Sequence, residues 1–322
     1  MPGDSAQVSG PSPASMVSPV PAPSAVPVAT RWLIAGIVIC ALIWGTTWYA
    51  ITLQLGPVAP TVSIVWRFGL AALALFGFCL ATRRPLRLNR VQHLAALGQG
   101  AFVFAISYGF VYASEERVPS AVVAVIFAGL AFINLVLFRV IAGQKASRLA
   151  WGGAALGLLG VAVLSGSEIL GSDMTEAAGL GVGMAALAVL SSAFGNYFAW
   201  RGQVAGSAVM PATAWAMAYG TAMLAVFGLT QGVEWRIEPT FSYIGSLIYL
   251  SLFGSVVAFV IYFTIARSRG YALASYISAL TPPIAMLVSV LFEGASFGLT
   301  ALFGLALVLA GQVLLIRAPK VS

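Results

Sequence analysis

Apolar runs of about 18 residues or more, separated by short charged or Gly/Pro-rich breaks, recur along almost the whole chain, and each is long enough to cross a bilayer as a helix. Ten such spans are predicted: Trp32 to Leu53, Val58 to Ala81, Val91 to Ala113, Pro119 to Ile141, Leu149 to Gly166, Ala178 to Trp200, Pro211 to Thr230, Phe241 to Ala266, Leu273 to Phe292 and Phe297 to Ile316. The connections are short, so neighbouring spans run antiparallel and little chain remains for a soluble catalytic domain. Residues 1–30 read differently. They carry seven prolines among Ser, Ala and Val, with Asp4 as their one acidic residue. Such a segment cannot bury enough apolar area to offset its chain entropy, which predicts a disordered tail, and its prolines interrupt any signal-peptide core.

Composition agrees with the pattern. Of 322 residues, 60% are hydrophobic and 8% charged, too few charges to solvate the surface of a water-soluble globule. Charge then tests the span count, because alternate connections should hold the Lys and Arg. One set holds Arg31, Arg83, Arg84, Arg87, Arg90, Arg139, Lys145, Arg148, Arg201, Arg267, Arg269, Arg317 and Lys320 against Asp4 alone. The other holds Arg117 and Arg236 against Glu115, Glu116, Glu168, Asp173, Glu176, Glu234, Glu238 and Glu293. The basic side is expected to be the cytoplasm, with both termini there. The +7 net charge therefore reads as topology, and no nucleic-acid partner is expected. Cys40 and Cys79 lie inside apolar runs and are read as small core residues.

The chain also repeats itself. Ala41-Leu-Ile-Trp-Gly45-Thr-Thr-Trp48-Tyr-Ala50 in span 1 matches Ser191-Ser-Ala-Phe-Gly195-Asn-Tyr-Phe198-Ala-Trp200 in span 6 at an offset of 150, and Gly153 and Gly160 match Gly304 and Gly311 at 151. Two matches at nearly one offset imply duplication, and five spans per copy make the second copy inverted. Inverted repeats characterise alternating-access transporters with a midplane site between the halves. The motifs Trp44-Gly45-Thr46-Thr47-Trp48, Trp66-Arg67 and Ala274-Ser-Tyr-Ile-Ser-Ala-Leu280-Thr-Pro282-Pro283 with Glu293 resemble the EamA domain of the drug/metabolite transporter superfamily, over about residues 32 to 316. The resemblance implies a ten-helix exporter of small metabolites, amino acids among them, with one EamA unit per half. Ala128-Gly129-Leu130 stands where the family usually has proline, and Gln144 where it usually has glutamate, so the halves are unequal.

Arg67 is the sharpest candidate for function. It is the tenth residue of span 2, about 15 Å deep at the helical rise, where a charge costs roughly 2.5–3.5 kcal/mol and faces a cavity or a partner. It could attract a substrate carboxylate, or it could be a structural arginine tied to backbone carbonyls. Trp44 and Trp48 form one i, i+4 aromatic stripe and Phe104, Tyr108 and Tyr112 another. These rings could line an amphipathic cavity, with Ser107 or a tyrosine hydroxyl fixing the polar end of a substrate, or they could be packing. Asn196, Tyr197, Asn134 and Tyr276 are further polar residues inside apolar runs, as substrate contacts or interhelical hydrogen bonds. Pro282 and Pro283 should break or kink span 9, as a hinge or a static bend. Gly153/Gly157 and Gly179/Gly183 read as small-residue helix packing. No carboxylate is expected at mid-depth, and His93 reads as a solvated residue near the inner face, so facilitated export is the simpler expectation.

Other functions lack parts. There is no phosphate-binding Gly-x-x-x-x-Gly-Lys loop and no His/Glu pair at metal spacing, so no catalytic residue, metal or cofactor is assigned and an enzyme is not expected. The expectation is an all-α integral membrane protein of the bacterial inner membrane, with ten transmembrane helices in two inverted five-helix repeats. A disordered cytoplasmic tail (1–30) precedes a first repeat (31–166) and a second (178–317). It would act as a monomer or homodimer that exports a small amphipathic metabolite, an aromatic or hydrophobic amino acid foremost. The expected site comprises Trp44, Trp48, Arg67, Phe104, Ser107, Tyr108, Tyr112, Asn196 and Tyr276, with Pro282 and Pro283 as hinge. Alternatives are a drug or nucleobase-type effluxer of the same fold, or a non-transporting membrane scaffold.

Overall fold

The computed structural model describes residues 30–171, 175–274 and 276–318, and among these the regular structure is helical. Apart from Thr30, the expected tail lies outside the described residues. The helices are α1 (Thr30–Thr52), α2 (Pro60–Ala81), α3 (Arg90–Glu115), α4 (Ser120–Ala142), α5 (Arg148–Gly171), α6 (Thr175–Val204), α7 (Val209–Thr230) and α8 (Phe241–Arg269). A turn at Tyr271–Ala274 leads to α9 (Tyr276–Phe292), and α10 (Leu299–Arg317) follows. Among the described residues eight helices, α1 to α8, are long and apolar enough to cross a membrane, and α9 and α10 are shorter apolar helices. Large apolar side chains such as Leu73, Val140, Phe227, Leu291 and Phe303 stay exposed on the outside, a surface suited to lipid rather than water.

Local chemistry sets the helix ends. Pro60 opens α2, where its missing N–H costs nothing. Asn89 caps α3 by accepting from Gln92 N at 2.9 Å, while Asn89 N donates back to the Gln92 side chain at 3.0 Å. Gly143 ends α4 in the left-handed region at φ 66°.

Three helices depart from regular α geometry. Both α3 and α8 contain an eight-residue π-helical stretch, at Gly100–Ser107 and Leu250–Val257. The two begin 150 residues apart, the same offset as the sequence match. The third departure is at Gly129, which divides α4. By contrast, α9 remains helical through Pro282 and Pro283. The backbone N–H that residue 282 lacks would have met the Ser278 carbonyl, and the Thr281 hydroxyl donates to that carbonyl instead, at 2.9 Å.

Packing repeats at a shift of five helices. α1 packs on α9 and α6 on α4; α3 packs on α6 and α8 on α1; α7 contacts α3 as α2 contacts α8. The pairs α2/α7, α4/α9 and α5/α10 map onto themselves. The α5/α10 contact is reciprocal to the atom. A Cβ on Gly153 would lie 2.5 Å from the Gly311 carbonyl oxygen, and one on Gly311 would lie 2.5 Å from that of Gly153. Gly160 and Gly304 face one another in the same way. The glycine spacing that suggested duplication is thus the seam between α5 and α10. Gly179 and Gly183 behave differently from expectation, because nothing lies within 4 Å of a Cβ at either position, so they are not packing contacts. Glu115 also departs from its reading as a solvated loop charge: it ends α3 and is buried, with 7% of its surface exposed.

Candidate substrate cavity

One cavity is drawn on by both halves of the chain. From α1 come Trp44, Thr47, Trp48 and Ile51, and α3 and α4 add Val103, Tyr108, Val111, Phe127 and Leu130. The second half supplies Ser192 and Asn196 from α6, Phe259 and Tyr262 from α8, and Ser278 and Thr281 from α9. Its volume, counted as space open to the centre of a water molecule, is about 60 Å³, room for a small solute at the order of 10–15 Å³ per water.

Most polar groups in the wall already have partners. Trp44 Nε1 donates to the Gly254 carbonyl at 3.1 Å, and its ring packs 5.2 Å from Phe259 and 5.4 Å from Tyr262. Asn196 Nδ2 donates to the Tyr262 hydroxyl at 3.0 Å and to Asn134 Oδ1 at 3.3 Å. Ser192 exchanges a 2.8 Å hydrogen bond with Ser107. Trp48 is the exception. Its ring packs 5.0 Å from Phe127, and its buried indole N–H has no acceptor among the described residues. A buried donor left unpaired costs about 1–3 kcal/mol, so this N–H is suited to a ligand oxygen.

Tyr108 supplies a second donor. Arg67 lies one layer behind it, fully buried and outside the wall. Arg67 Nε donates to Ser255 Oγ at 3.1 Å and Nη2 to the Tyr108 oxygen at 3.4 Å, with the guanidinium carbon 4.6 Å from the Tyr108 ring centroid and 5.1 Å from that of Phe68. The Tyr108 oxygen accepts from Arg67, which leaves its own proton available to a further acceptor. No carboxylate pairs with Arg67 among the described residues, and its Nη1 has no partner. The α8 π-helical stretch provides both the Gly254 carbonyl for Trp44 and the Ser255 hydroxyl for Arg67.

The structure therefore gathers Trp44, Trp48, Tyr108 and Asn196 at the cavity, with Arg67 behind. It separates the others. Phe104 is buried between Phe68 and Phe259, each at 5.0 Å. Ser107 donates to the Ala188 carbonyl at 2.8 Å and ties α3 to α6. Tyr112 donates to Gln54 Oε1 at 2.6 Å, towards the Glu115 end of α3. The Tyr276 side chain lies outside the described residues. Sequence reasoning missed Phe127, Tyr262, Ser278 and Thr281 in the wall, as well as Glu115 beyond it. The spacing of Tyr108, Tyr112 and Glu115 at i, i+4 and i+7 was the available signal for Glu115.

The EamA-like transporter family model matches residues 31–166 and 179–317. The chain belongs to the EamA-like transporter family. It is 28% identical over 295 residues to the uncharacterized inner membrane transporter YedA of Escherichia coli strain K12, covering 87% of this chain and 92% of YedA. It is 24% identical over 252 residues to the uncharacterized transporter YoaV of Bacillus subtilis strain 168, covering 78% and 85%. A crystal structure superposes with a TM-score of 0.69 at 18% identity, over 91% of this chain and 100% of the other, which shows a shared fold. With its apolar helices, this EamA-family chain is a multi-pass inner-membrane transporter.

Proposed function

We propose that this EamA-family transporter exports a small amphipathic carboxylate, foremost an amino acid with an apolar or aromatic side chain, by alternating access through the Trp48–Tyr108 cavity. The observation that carries the reading is the pair of donors, the Trp48 N–H and the Tyr108 hydroxyl, in a wall whose surface is mostly aromatic and apolar. Two donors with a buried guanidinium behind them suit a carboxylate. The ring faces of Trp44 and Tyr262 suit an apolar side chain or, through their quadrupoles, an ammonium group.

Alternating access is supported by the five-helix shift in packing and by the placement of the cavity among helices of both halves. On this reading ten spans form two inverted repeats, the basic connections and both termini face the cytoplasm, and the halves rock about the α5/α10 glycine seam. Pro282 and Pro283, beside the wall residues Ser278 and Thr281, serve as the hinge of α9.

The test is efflux of a labelled amino-acid panel from proteoliposomes. Saturable efflux of apolar or aromatic members that weakens in Trp48→Phe and Tyr108→Phe supports the proposal. Unchanged efflux in both variants, with normal insertion, removes these donors from the site.

A further inference from the structure

At the far end of the cavity from the capped start of α3, a string of polar groups leads away from the wall. Tyr108, Tyr112 and Glu115 follow one another along α3 at spacings of four and three residues, on one face of the helix. Tyr112 bonds Gln54, just past the end of α1, whose Nε2 is buried without a partner. Glu115 ends the string, with both carboxylate oxygens buried and neither hydrogen-bonded among the described residues. Glu293, after α9, lies within electrostatic reach, and its Oε2 accepts from Ser120 at the start of α4 at 2.7 Å. Three cavity-lining helices, α3, α4 and α9, therefore converge on two carboxylates.

An ionised carboxylate without a hydrogen bond or a paired cation is costly to bury, and a second negative charge nearby raises that cost. The other groups facing Glu115 offer little relief. Arg67 of α2 is the one cation acting on it through space, yet makes no ion pair with it. Arg117 is taken by Glu116 at 3.2 Å. From α6, the Gly181 carbonyl is occupied by Ser114 at 2.8 Å. From its own helix Glu115 faces Tyr108 and Tyr112, already bonded to Arg67 and Gln54. The closed arrangement is thus compatible with one negative charge at this end and unfavourable to two.

We propose that Glu115 is a proton-binding site that gates this end of the cavity: its proton holds α3, α4 and α9 together beside the Glu293 carboxylate, and its loss drives them apart. The proton is a ligand of the transporter at a site separate from the cargo cavity. That this end faces outside rests on the proposed orientation, with the basic connections in the cytoplasm. The gate then closes when the outside is acidic and opens when it is neutral, and neither the cargo nor its donors enter the switch.

The test reads opening directly. Thr281→Cys, in a Cys40→Ala, Cys79→Ala background, places a single thiol in the cavity wall, and a membrane-impermeant maleimide is added outside right-side-out vesicles from pH 5 to 8. Rates are divided by those of a Gln231→Cys reporter at an exposed position, which removes the thiol's own pH dependence. The parent is expected to lose at least ten-fold in relative labelling from pH 8 to 5. Glu115→Gln is expected to label slowly at every pH, Glu293→Gln to flatten the profile at the slow level, and Glu115→Asp to keep a pH-dependent profile. Glu115→Gln with the parent's profile, or labelling fast at every pH, overturns the proposal. Should that variant fail to fold, Glu293→Gln decides alone, and an unchanged profile there overturns it equally. Efflux of the amino-acid panel by the unsubstituted chain, whose cavity wall is intact, separates the two proposals. A pH-dependent gate without efflux would leave the gate standing and sink the cargo reading, while efflux with flat labelling would do the reverse.

Discussion

Arg67 anchors α2 to Ser255 of α8 and, through the same guanidinium, fixes Tyr108 as a donor to the cavity. Lysine lacks the planar fork needed to reach both, so Arg67→Lys is expected to lower the melting temperature in detergent and weaken transport together. Tyr108→Phe removes the donor to the cavity and also the acceptor of Arg67 Nη2, so a loss of about 1–3 kcal/mol in stability is expected beside the weaker transport. Trp48→Phe likewise deletes one N–H while keeping the ring packed on Phe127. A neutral hydrogen bond nets about 0.5–1.5 kcal/mol, so KM for the cargo should rise roughly two- to ten-fold, read from initial efflux rates. In the sequence, the type and depth of Arg67 pointed to a functional or a structural role, and the contacts it makes in the structure are with Ser255, Tyr108 and Phe68. The stripe rule found Trp44 and Trp48 because that part of α1 is a regular helix. It did not tell Phe104 from Tyr108: both rings lie on one face against Phe68 and Phe259, yet Phe104 is outside the wall. Spacing reports a helix face and not how far along it a cavity extends.

At the scale of elements, the glycines divide into seams and spacers. A methyl at Gly160 meets the Gly304 carbonyl oxygen at 2.5 Å and Val308 N at 2.6 Å, and neither backbone atom can turn aside. Gly160→Ala is therefore expected to cost about 1–3 kcal/mol through overpacking. Gly183→Ala, with nothing within 4 Å, should be neutral or gain up to roughly 1 kcal/mol by restricting the unfolded chain. Thermal unfolding of the two variants in the same detergent checks the contrast. The i, i+4 spacing made both pairs look alike in sequence, because it reports what a helix could pack against and not which neighbour arrives. Thr281→Val follows the same logic in α9: the Ser278 carbonyl beside the proline loses its donor, and a loss of about 1–3 kcal/mol is expected in the same melting measurement.

At the scale of the whole molecule, hydropathy made the helices legible because lipid demands an apolar run from each of them, and the glycine offset marked the glycines at which α5 and α10 meet. The inequality of the halves was legible only as substitutions such as Ala128-Gly129-Leu130. In the fold it is geometric. A Cβ on Gly45 of α1 would meet Ile284 of α9 at 2.6 Å, whereas its counterpart Gly195 of α6 closes on Val103 of α3. The five-helix shift maps α1/α9 onto α6/α4 and not onto α6/α3, so these two glycines, matched in sequence, sit against helices that are not equivalent. Which end faces out is read from charge and not from this packing. Thirteen Lys and Arg on one set of connections against two on the other predict that Arg84 and Lys145 face the cytoplasm and Glu238 the outside. Single cysteines at these three positions, in the Cys40→Ala, Cys79→Ala background, settle the orientation in intact cells. Glu238→Cys should label with an impermeant maleimide at once, while Arg84→Cys and Lys145→Cys should label only after the membrane is opened. The opposite pattern would turn the molecule over, place the Glu115 and Glu293 pair at the cytoplasmic face, and make it respond to internal rather than external pH.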